Sequence, residues 1–527
     1  MQLRLAFVVV FLISACGLGY QLVAGTTSSY LLGDSVTQFS LTIGLYLFAL
    51  GIGSWLSKFV DDDTALDTAR DADQRAETPV DAAEEAGAPG SDSLVRRFVQ
   101  VELAVAVAGG LSALLLLLAY QSELWFRPFL YLLILIIGTL VGIEIPLLVR
   151  ILRRELELKE LLARVLAWDY VGALVVALAF PLFLVPRLGL ARTALALGLL
   201  NAAVALWSVS LFRERLRKPG ALTLQGCLVV LLLATAFSQA QRLSTLAEHG
   251  LYANEILHAE TTPYQRIVVT RGQDDFQLFL NGALQFSSGD EYRYHEALVH
   301  PAFAAAAEPR RALVLGGGDG LAVREILRHP GVERVTLVDL DAAVTRLARD
   351  LPLLRELNRA ALDDPRVSVI NADAMQFLAD DRGLYDVVVI DFPDPSSFSV
   401  GKLYTRTFYE RLAARLAPDG AVTVQCTSPR QAPRTYWCII ATLEDAGFYV
   451  RPYRCGVPSF GEWGFALAAL REVPVPAAVP DGTRFLDADF MRTLFVLPLD
   501  CARPPGVEPN RLATQVLVRT YEAELGS

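Results

Sequence analysis

Ala312-Leu313-Val314-Leu315-Gly316-Gly317-Gly318-Asp319-Gly320 is the stretch that decides how this chain is read. Four apolar residues make a run that suits a buried strand, and the glycines after it permit a tight turn and close backbone approach. Residues 321–329 continue as a helix. Val335-Thr336-Leu337-Val338 is the next strand and ends in Asp339. Val367-Ser368-Val369-Ile370 runs to Asp373, and Asp386-Val387-Val388-Val389-Ile390 runs to Asp391. Ala421-Val422-Thr423-Val424 follows Pro418-Asp419-Gly420. Strand, helix, strand at this spacing predicts a doubly wound, mostly parallel sheet with ligands at the carboxyl ends of its strands. Asp319, Asp339, Asp373 and Asp391 all fall just after a strand, so they can converge there.

The loop at 316–320 is not a GxGxxG fingerprint, and it lacks the Lys-Ser/Thr of a P-loop. Asp339 lies about 20 residues on, where an acid commonly binds ribose hydroxyls. Asp373-Ala374 ends the next strand, in reach of an adenine. These features describe a nucleoside pocket without a phosphate cradle, which suits an S-adenosyl compound. Each aspartate taken alone is explained as well by a helix N-cap; four in register are harder to explain that way. Asp319, Asp391 and Asp394, with Asp290 and Glu291, would attract amine cations and repel a carboxylate. Decarboxylated S-adenosylmethionine has a sulfonium and a free amine but no carboxylate, and its acceptor is a di-cation such as putrescine.

Upstream, Ile267-Val268-Val269-Thr270 and Gln277-Leu278-Phe279-Leu280 flank Gly272-Gln273-Asp274-Asp275 as a hairpin, with a further turn at Asn281-Gly282. Further upstream the composition changes. Of the 527 residues 53% are hydrophobic and 20% charged, and the apolar excess sits almost wholly in the first 240. Seven candidate membrane spans follow, at roughly 4–24, 36–56, 98–120, 129–149, 166–186, 190–212 and 221–240. That excludes a purely soluble protein. The first segment is read as a retained helix, not a cleaved signal.

The net charge of −10 is concentrated. Residues 61–95 hold 11 Asp or Glu against Arg70 and Arg75, and this acidic linker is expected to be disordered. No basic patch points to nucleic acid. Six cysteines without CxxC spacing read as reduced thiols, and five histidines without HExxH-like pairing predict no metal site. Glu102, Glu144 and Asp169 fall inside spans three, four and five. Each is expected three to five residues from the same end, so that they share one shallow layer.

Gln265, Asp290-Glu291-Tyr292-Arg293-Tyr294-His295-Glu296, Gly316-Gly317-Gly318-Asp319-Gly320 and Asp391-Phe392-Pro393-Asp394-Pro395 together resemble the spermidine synthases, or polyamine aminopropyltransferases. The resemblance covers about residues 252–520, and the whole chain looks like the bacterial membrane-bound branch. It implies a multi-span α-helical membrane domain, then an α/β Rossmann-like, methyltransferase-like domain preceded by a small β-hairpin subdomain. The expected boundaries are 1–241 for the membrane part, 250–305 for the β subdomain and 306–527 for the transferase.

By that resemblance Asp391 accepts the amine proton and Tyr294 assists it. Gln265, Gly316, Gly318, Asp339, Asp373 and Ala374 hold the nucleoside part of the donor, and His295, Asp319, Asp394 and Glu462 face the amines. Decarboxylated S-adenosylmethionine is the co-substrate, with no permanently bound cofactor. Putrescine and spermidine are the amine partners, the lipid bilayer is another, and a homo-oligomer is compatible with the family. Three features depart from its pattern. Position 339 is Asp where Glu is usual, Ser396-Ser397-Phe398-Ser399 replaces a Gly-Pro-Ala segment, and Val457 stands where a channel-lining Tyr is expected. Transfer to another amine, and a polyamine-binding sensor or transporter, are the alternative readings. Loop charges put the N-terminus in the cytoplasm, so seven crossings put the synthase outside. The cytosolic origin of the donor requires the reverse, and a multi-pass inner-membrane protein with a cytoplasmic synthase is the expectation adopted.

Overall fold

The computed structural model describes residues 2–32, 35–61, 90–120, 123–153, 157–249, 252 and 254–525. The chain divides into two compact units, Met1–Ala253 and Asn254–Ser527.

Among its described residues the first unit has seven long helices: α1 (Gln2–Leu32), α2 (Ser35–Leu56), α3 (Gly90–Ala119), α4 (Glu123–Leu152), α5 (Leu158–Ala179), α6 (Val185–Leu211) and α7 (Pro219–His249). Among the described residues, six continuous stretches are long and apolar enough to cross a membrane, one of them the 54-residue run Leu158–Leu211. At ~1.5 Å per residue an unbroken helix of that length would reach about 80 Å. It is interrupted by a π-turn at Phe180–Leu184 and by Gly189, whose φ of 74° and ψ of 171° leave the helical region. Both α5 and α6 then pack against α1.

α1 also touches α2, α3 and α4, and its Cys16, Tyr20 and Val23 are fully enclosed. α2 and α4 meet backbone to backbone, since a Cβ on Gly142 would fall 2.3 Å from the Leu50 carbonyl oxygen. On the outer faces Leu47, Phe48, Leu174, Leu182 and Leu231 are exposed.

Several expected boundaries shift. α3 begins at Gly90, so the end of the expected linker is helical, and most of the rest lies outside the described residues. α5 begins eight residues before the span expected at 166, and α7 runs past 241 to His249.

In the second unit β1 (Glu255–Thr261), β2 (Arg266–Arg271), β3 (Phe276–Leu280) and β4 (Ala283–Ser287) form an antiparallel sheet. Asn281 and Gly282 turn between β3 and β4 with φ of 51° and 80°, the left-handed pair that a two-residue hairpin turn needs. The helix Glu291–Ala305 follows. A seven-stranded sheet is then built from β5 (Arg311–Gly316), β6 (Arg334–Asp339), β7 (Val367–Asn371), β8 (Tyr385–Asp391), β9 (Leu416–Gln425), β10 (Tyr449–Val457) and β11 (Gly461–Ala469).

The order is β10-β11-β9-β8-β5-β6-β7, parallel from β9 to β7 and antiparallel at the β10–β11 edge. Val314, Val387 and Val389 enter one apolar core, and Leu313, Leu315, Val388 and Ile390 enter another. Burial on both faces explains why these strands read as continuous apolar runs. Each such side chain contributes about 1.5–3 kcal/mol. Strand order reverses between β5 and β8, and the crevice at their carboxyl ends is where ligands of such sheets bind.

Candidate active site

At that crevice Gly316 of β5 lies opposite Asp391 of β8 in register. Gly316 has φ 81°, and a Cβ there would stand 2.1 Å from the Asp391 carbonyl oxygen. Gly318 is equally constrained, because its Cβ would meet Asp339 Oδ2 at 2.6 Å. The glycine run therefore allows the loop to close onto two of the acids. Gly318 N–H donates to Asp339 Oδ2 at 3.0 Å, and Asp341 N–H donates to Asp339 Oδ1 at 2.9 Å. Burial pushes the Asp339 carboxyl up to about 6, against the pull of those two backbone donors.

The Tyr294 hydroxyl donates to Asp391 Oδ1 at 2.6 Å. Burial raises the Asp391 carboxyl to about 6, Asp319 adds to the rise, and His295 and the Tyr294 bond oppose it. His295, on the same helix as Tyr294, is buried and bonds Glu291 through Nδ1, at 2.8 Å to the carbonyl and 2.9 Å to Oε2. Burial works against its charge. The Glu291 bond and charge outweigh that, helped by Asp319 and Asp391, and hold it at about 9. At neutral pH the site thus has an imidazolium facing several carboxylates.

Asp319 is 8% exposed and accepts from Leu321 N–H at 2.8 Å. Burial raises its carboxyl, against the His295 charge and the Leu321 bond. Gln265 donates to Asp341 Oδ2 at 3.1 Å, so the loop before β2 is tied to the end of β6. Asp373 caps the helix Ala374–Asp380, accepting from Met375 and Gln376 N–H, and pairs with Lys402 at 2.5 Å. Burial opposes its ionisation, but Lys402 and the backbone donors prevail and lower it. The cap explanation therefore holds for Asp373 itself, and buried Ala374 is the first residue of that helix.

Asp394 accepts from Thr427 at 3.1 Å, from Tyr521 at 3.2 Å and from Gln425 at 3.4 Å. Burial still leaves its carboxyl at about 6. Gln425 also accepts from Trp463 Nε1 at 3.3 Å, and Trp463, Phe460 and Tyr294 form a chain of ring contacts. Val457, where a channel tyrosine was expected, is buried.

Three carboxylates expected to face amines are engaged otherwise. Glu462 pairs with Arg454 across the β10–β11 hairpin. Glu291 takes both terminal nitrogens of Arg324, at 2.8 and 2.9 Å, deep in the unit. Asp290 accepts from Ser459 N–H at 2.6 Å and Oγ at 2.9 Å, anchoring the β10–β11 turn. In each case the carboxylate has a fixed donor within the protein.

Sequence reading missed Asp341, Gln425, Thr427, Tyr521 and the Arg324 partner of Glu291. Arg324 carried a signal, as the cation in the otherwise apolar start of its helix. Tyr521, 127 residues from Asp394, carried none.

The family described as "Spermine/spermidine synthase domain" matches residues 291–475. Polyamine aminopropyltransferase 2 of Ralstonia nicotianae is 49% identical over 525 residues, covering 98% of this chain and 97% of its own. The polyamine aminopropyltransferase of Leptospira interrogans is 46% identical over 518 residues, covering 98% of each. Among solved structures, a spermidine synthase in complex with the transition state analogue AdoDATO aligns at 24% identity and a TM-score of 0.44, over 46% of this chain and 86% of that one.

Proposed function

The chain belongs to the polyamine aminopropyltransferase family, and from that premise we propose that it transfers an aminopropyl group from decarboxylated S-adenosylmethionine to putrescine. The products are spermidine and methylthioadenosine. The observation that carries the assignment is the short Tyr294–Asp391 bond at the mouth of the glycine loop.

An amine nitrogen attacks the methylene beside the sulfonium. The C–S bond breaks with its electron pair going to sulfur, and neutral methylthioadenosine leaves. The proton lost by the nitrogen passes to Asp391 and on to water. A carboxyl at about 6 is ionised at neutral pH yet takes a proton more readily than an ordinary carboxylate. Tyr294 fixes its orientation, and positioning supplies much of the remaining rate.

Gly316, Gly318, Gln265 and Asp339 line the donor's nucleoside end, with Asp373 and Ala374 beside the base. Asp319 receives its amine-bearing arm, and the His295 imidazolium beside it favours the ionised form of Asp319. Asp394 holds the far ammonium of the acceptor against the Phe460–Trp463 wall, where ring faces favour cations. Val457, in place of a channel tyrosine, favours a second reading with a different amine as acceptor. Methylthioadenosine release from the purified chain, offered putrescine, spermidine and cadaverine in turn, tests both. No release with any amine would sink the transferase assignment.

The helical unit is read as a multi-pass inner-membrane domain. Exposed Leu47, Phe48, Leu182 and Leu231 would form a large apolar surface in water, and lipid covers it. The synthase unit is assigned to the cytoplasm, where its sulfonium donor is made and from which so polar a molecule does not diffuse. Loop charges with seven crossings argue for the other face. A C-terminal reporter active on one side only decides between them.

A further inference from the structure

Inside the helical unit, side chains from four helices meet around two carboxylates. Glu102 of α3 and Glu144 of α4 are 0% and 1% exposed, and each acts electrostatically on Cys16 and Tyr20 of α1. Asn201 of α6 donates Nδ2 to Glu102 Oε2 at 2.9 Å and to its carbonyl at 3.1 Å. Cys16 Sγ reaches the Leu197 carbonyl on α6 at 3.6 Å. Tyr20 is pressed against α3, since a Cβ on Gly109 would lie 2.6 Å from its ring.

Asp169, expected in the same layer, stands apart at the α1–α5 contact, where Ser14 donates to its carbonyl. The two glutamates are also deeper than expected. Glu102 lies about nine residues inside the stretch that begins at Ser93, and Glu144 about eight from its end at Leu152. At ~1.5 Å per residue that is roughly 12–14 Å, near the middle of a ~30 Å hydrocarbon layer.

Acceptors outnumber donors in the cluster. Glu102 Oε1, Glu144 Oε1, Asn201 Oδ1 and the Tyr20 hydroxyl are buried with no hydrogen-bond partner. Asn201 and Tyr20 are themselves 0% exposed, and the Asn201 amide is bonded into the cluster through its other end. No salt bridge to Glu102 or Glu144 is present among the described residues. No group of three metal-ligating side chains is found among the described residues. Orphaned acceptors and unpaired carboxylates at this depth are costly, and such groups usually face a cavity or a substrate path.

We propose that Glu102, Glu144, Asn201 and Tyr20 form a second amine site, which takes the ammonium ends of the acceptor or of the product within the helical unit. A primary ammonium supplies a positive charge and three N–H donors, one for each of the orphaned acceptors Glu102 Oε1, Glu144 Oε1 and Asn201 Oδ1. A diamine or triamine brings enough charge for both carboxylates. The choice of these amines rests on the aminopropyl-transfer reading.

The test uses the full chain in lipid nanodiscs. Equilibrium dialysis with radiolabelled putrescine, and separately spermidine, counts the amines bound per chain, while methylthioadenosine release is followed on the same preparation. Two amines per chain are expected for at least one of them, and which one identifies acceptor or product. The double variant Glu102→Gln, Glu144→Gln should bind one and keep turnover within roughly twofold. Tyr20→Phe, which deletes only a hydroxyl, should weaken the second site by about three- to tenfold. A wild-type chain that turns over but binds one of each amine overturns the inference, as does a second site that survives the double change or is untouched in Tyr20→Phe. A chain that binds two amines but releases no methylthioadenosine counts against the transferase reading alone.

Discussion

Tyr294 and Asp391 are joined by a 2.6 Å hydrogen bond although 97 residues separate them, one near the start of a helix and the other at the last position of β8. Burial, and then the charge of Asp391, push the tyrosine hydroxyl well above its ordinary range, so it donates at every working pH. The same bond lowers the carboxyl it serves. Tyr294→Phe removes that pull, and the Asp391 carboxyl then rises above about 6. The acid limb of the log kcat/KM profile should move to higher pH, and kcat/KM at neutral pH should fall about ten- to a hundredfold, as for a lost bond to a charged group. A drop in rate with an unmoved limb would leave Tyr294 a packing role only.

Asp391→Asn keeps the shape of the side chain and removes the proton acceptor. Turnover should fall by a factor on the order of 10² or more while donor binding stays largely intact. Single-turnover kinetics with calorimetric donor titration separates the two. Near-normal turnover would contradict the role given to Asp391.

Asp319 is buried beside a cationic His295 and carries no salt bridge of its own among the described residues. If it senses the missing carboxylate of the donor, Asp319→Asn should weaken decarboxylated S-adenosylmethionine and narrow its preference over S-adenosylmethionine. Calorimetry with both donors measures the ratio. An unchanged ratio would reduce Asp319 to a loop residue holding Leu321.

The sheet was legible because strands buried on both faces are continuous apolar runs, and 386–390 and 312–315 could be read as little else. The acids after each strand were legible for the same reason: a strand end is a fixed place in this topology. What each carboxylate bonds was not legible. Asp290 and Glu291 sit in the motif beside Tyr294, yet their partners Ser459 and Arg324 come from distant segments. Spacing places a side chain on an element and says nothing of a donor that arrives from 33 or 169 residues away. Asp169 shows the same limit in the helices. A periodic apolar pattern gives depth only to within a turn or two, and it gives rotation poorly when every face is apolar.

Glu291 illustrates the cost of such hidden partners. It accepts both terminal nitrogens of Arg324 and bonds His295, all three side chains being buried. Burial opposes its charge, but His295 and Arg324 lower its carboxyl. Glu291→Gln leaves Arg324 with Glu325 as its one carboxylate, beside the Leu357 carbonyl, and takes from His295 the group that most favours its charge. Loss of a buried partner typically costs about 3–5 kcal/mol. Thermal unfolding of the variant should show a clear fall in Tm, and an unchanged Tm would mean that water replaces the carboxylate.

Tyr521 comes from the C-terminal helix Val516–Leu525 and donates to Asp394 Oδ2 at 3.2 Å. Thr427 and Gln425 bond the same carboxylate, and all three bonds lower a carboxyl that burial has raised to about 6. Tyr521→Phe deletes one of them. The Asp394 carboxyl then rises further, so a larger share is protonated near neutral pH, and a protonated Asp394 holds an ammonium poorly. The acceptor KM should rise about three- to tenfold at pH 7, the size of one hydrogen bond, with kcat nearly unchanged. Because the effect runs through protonation, the KM penalty should shrink as pH is raised well above the shifted value and grow as pH falls toward 6. Initial rates against putrescine at pH 6, 7 and 8 measure it. A penalty that is the same at all three would assign Tyr521 to shaping the channel, with no part in tuning the charge of Asp394.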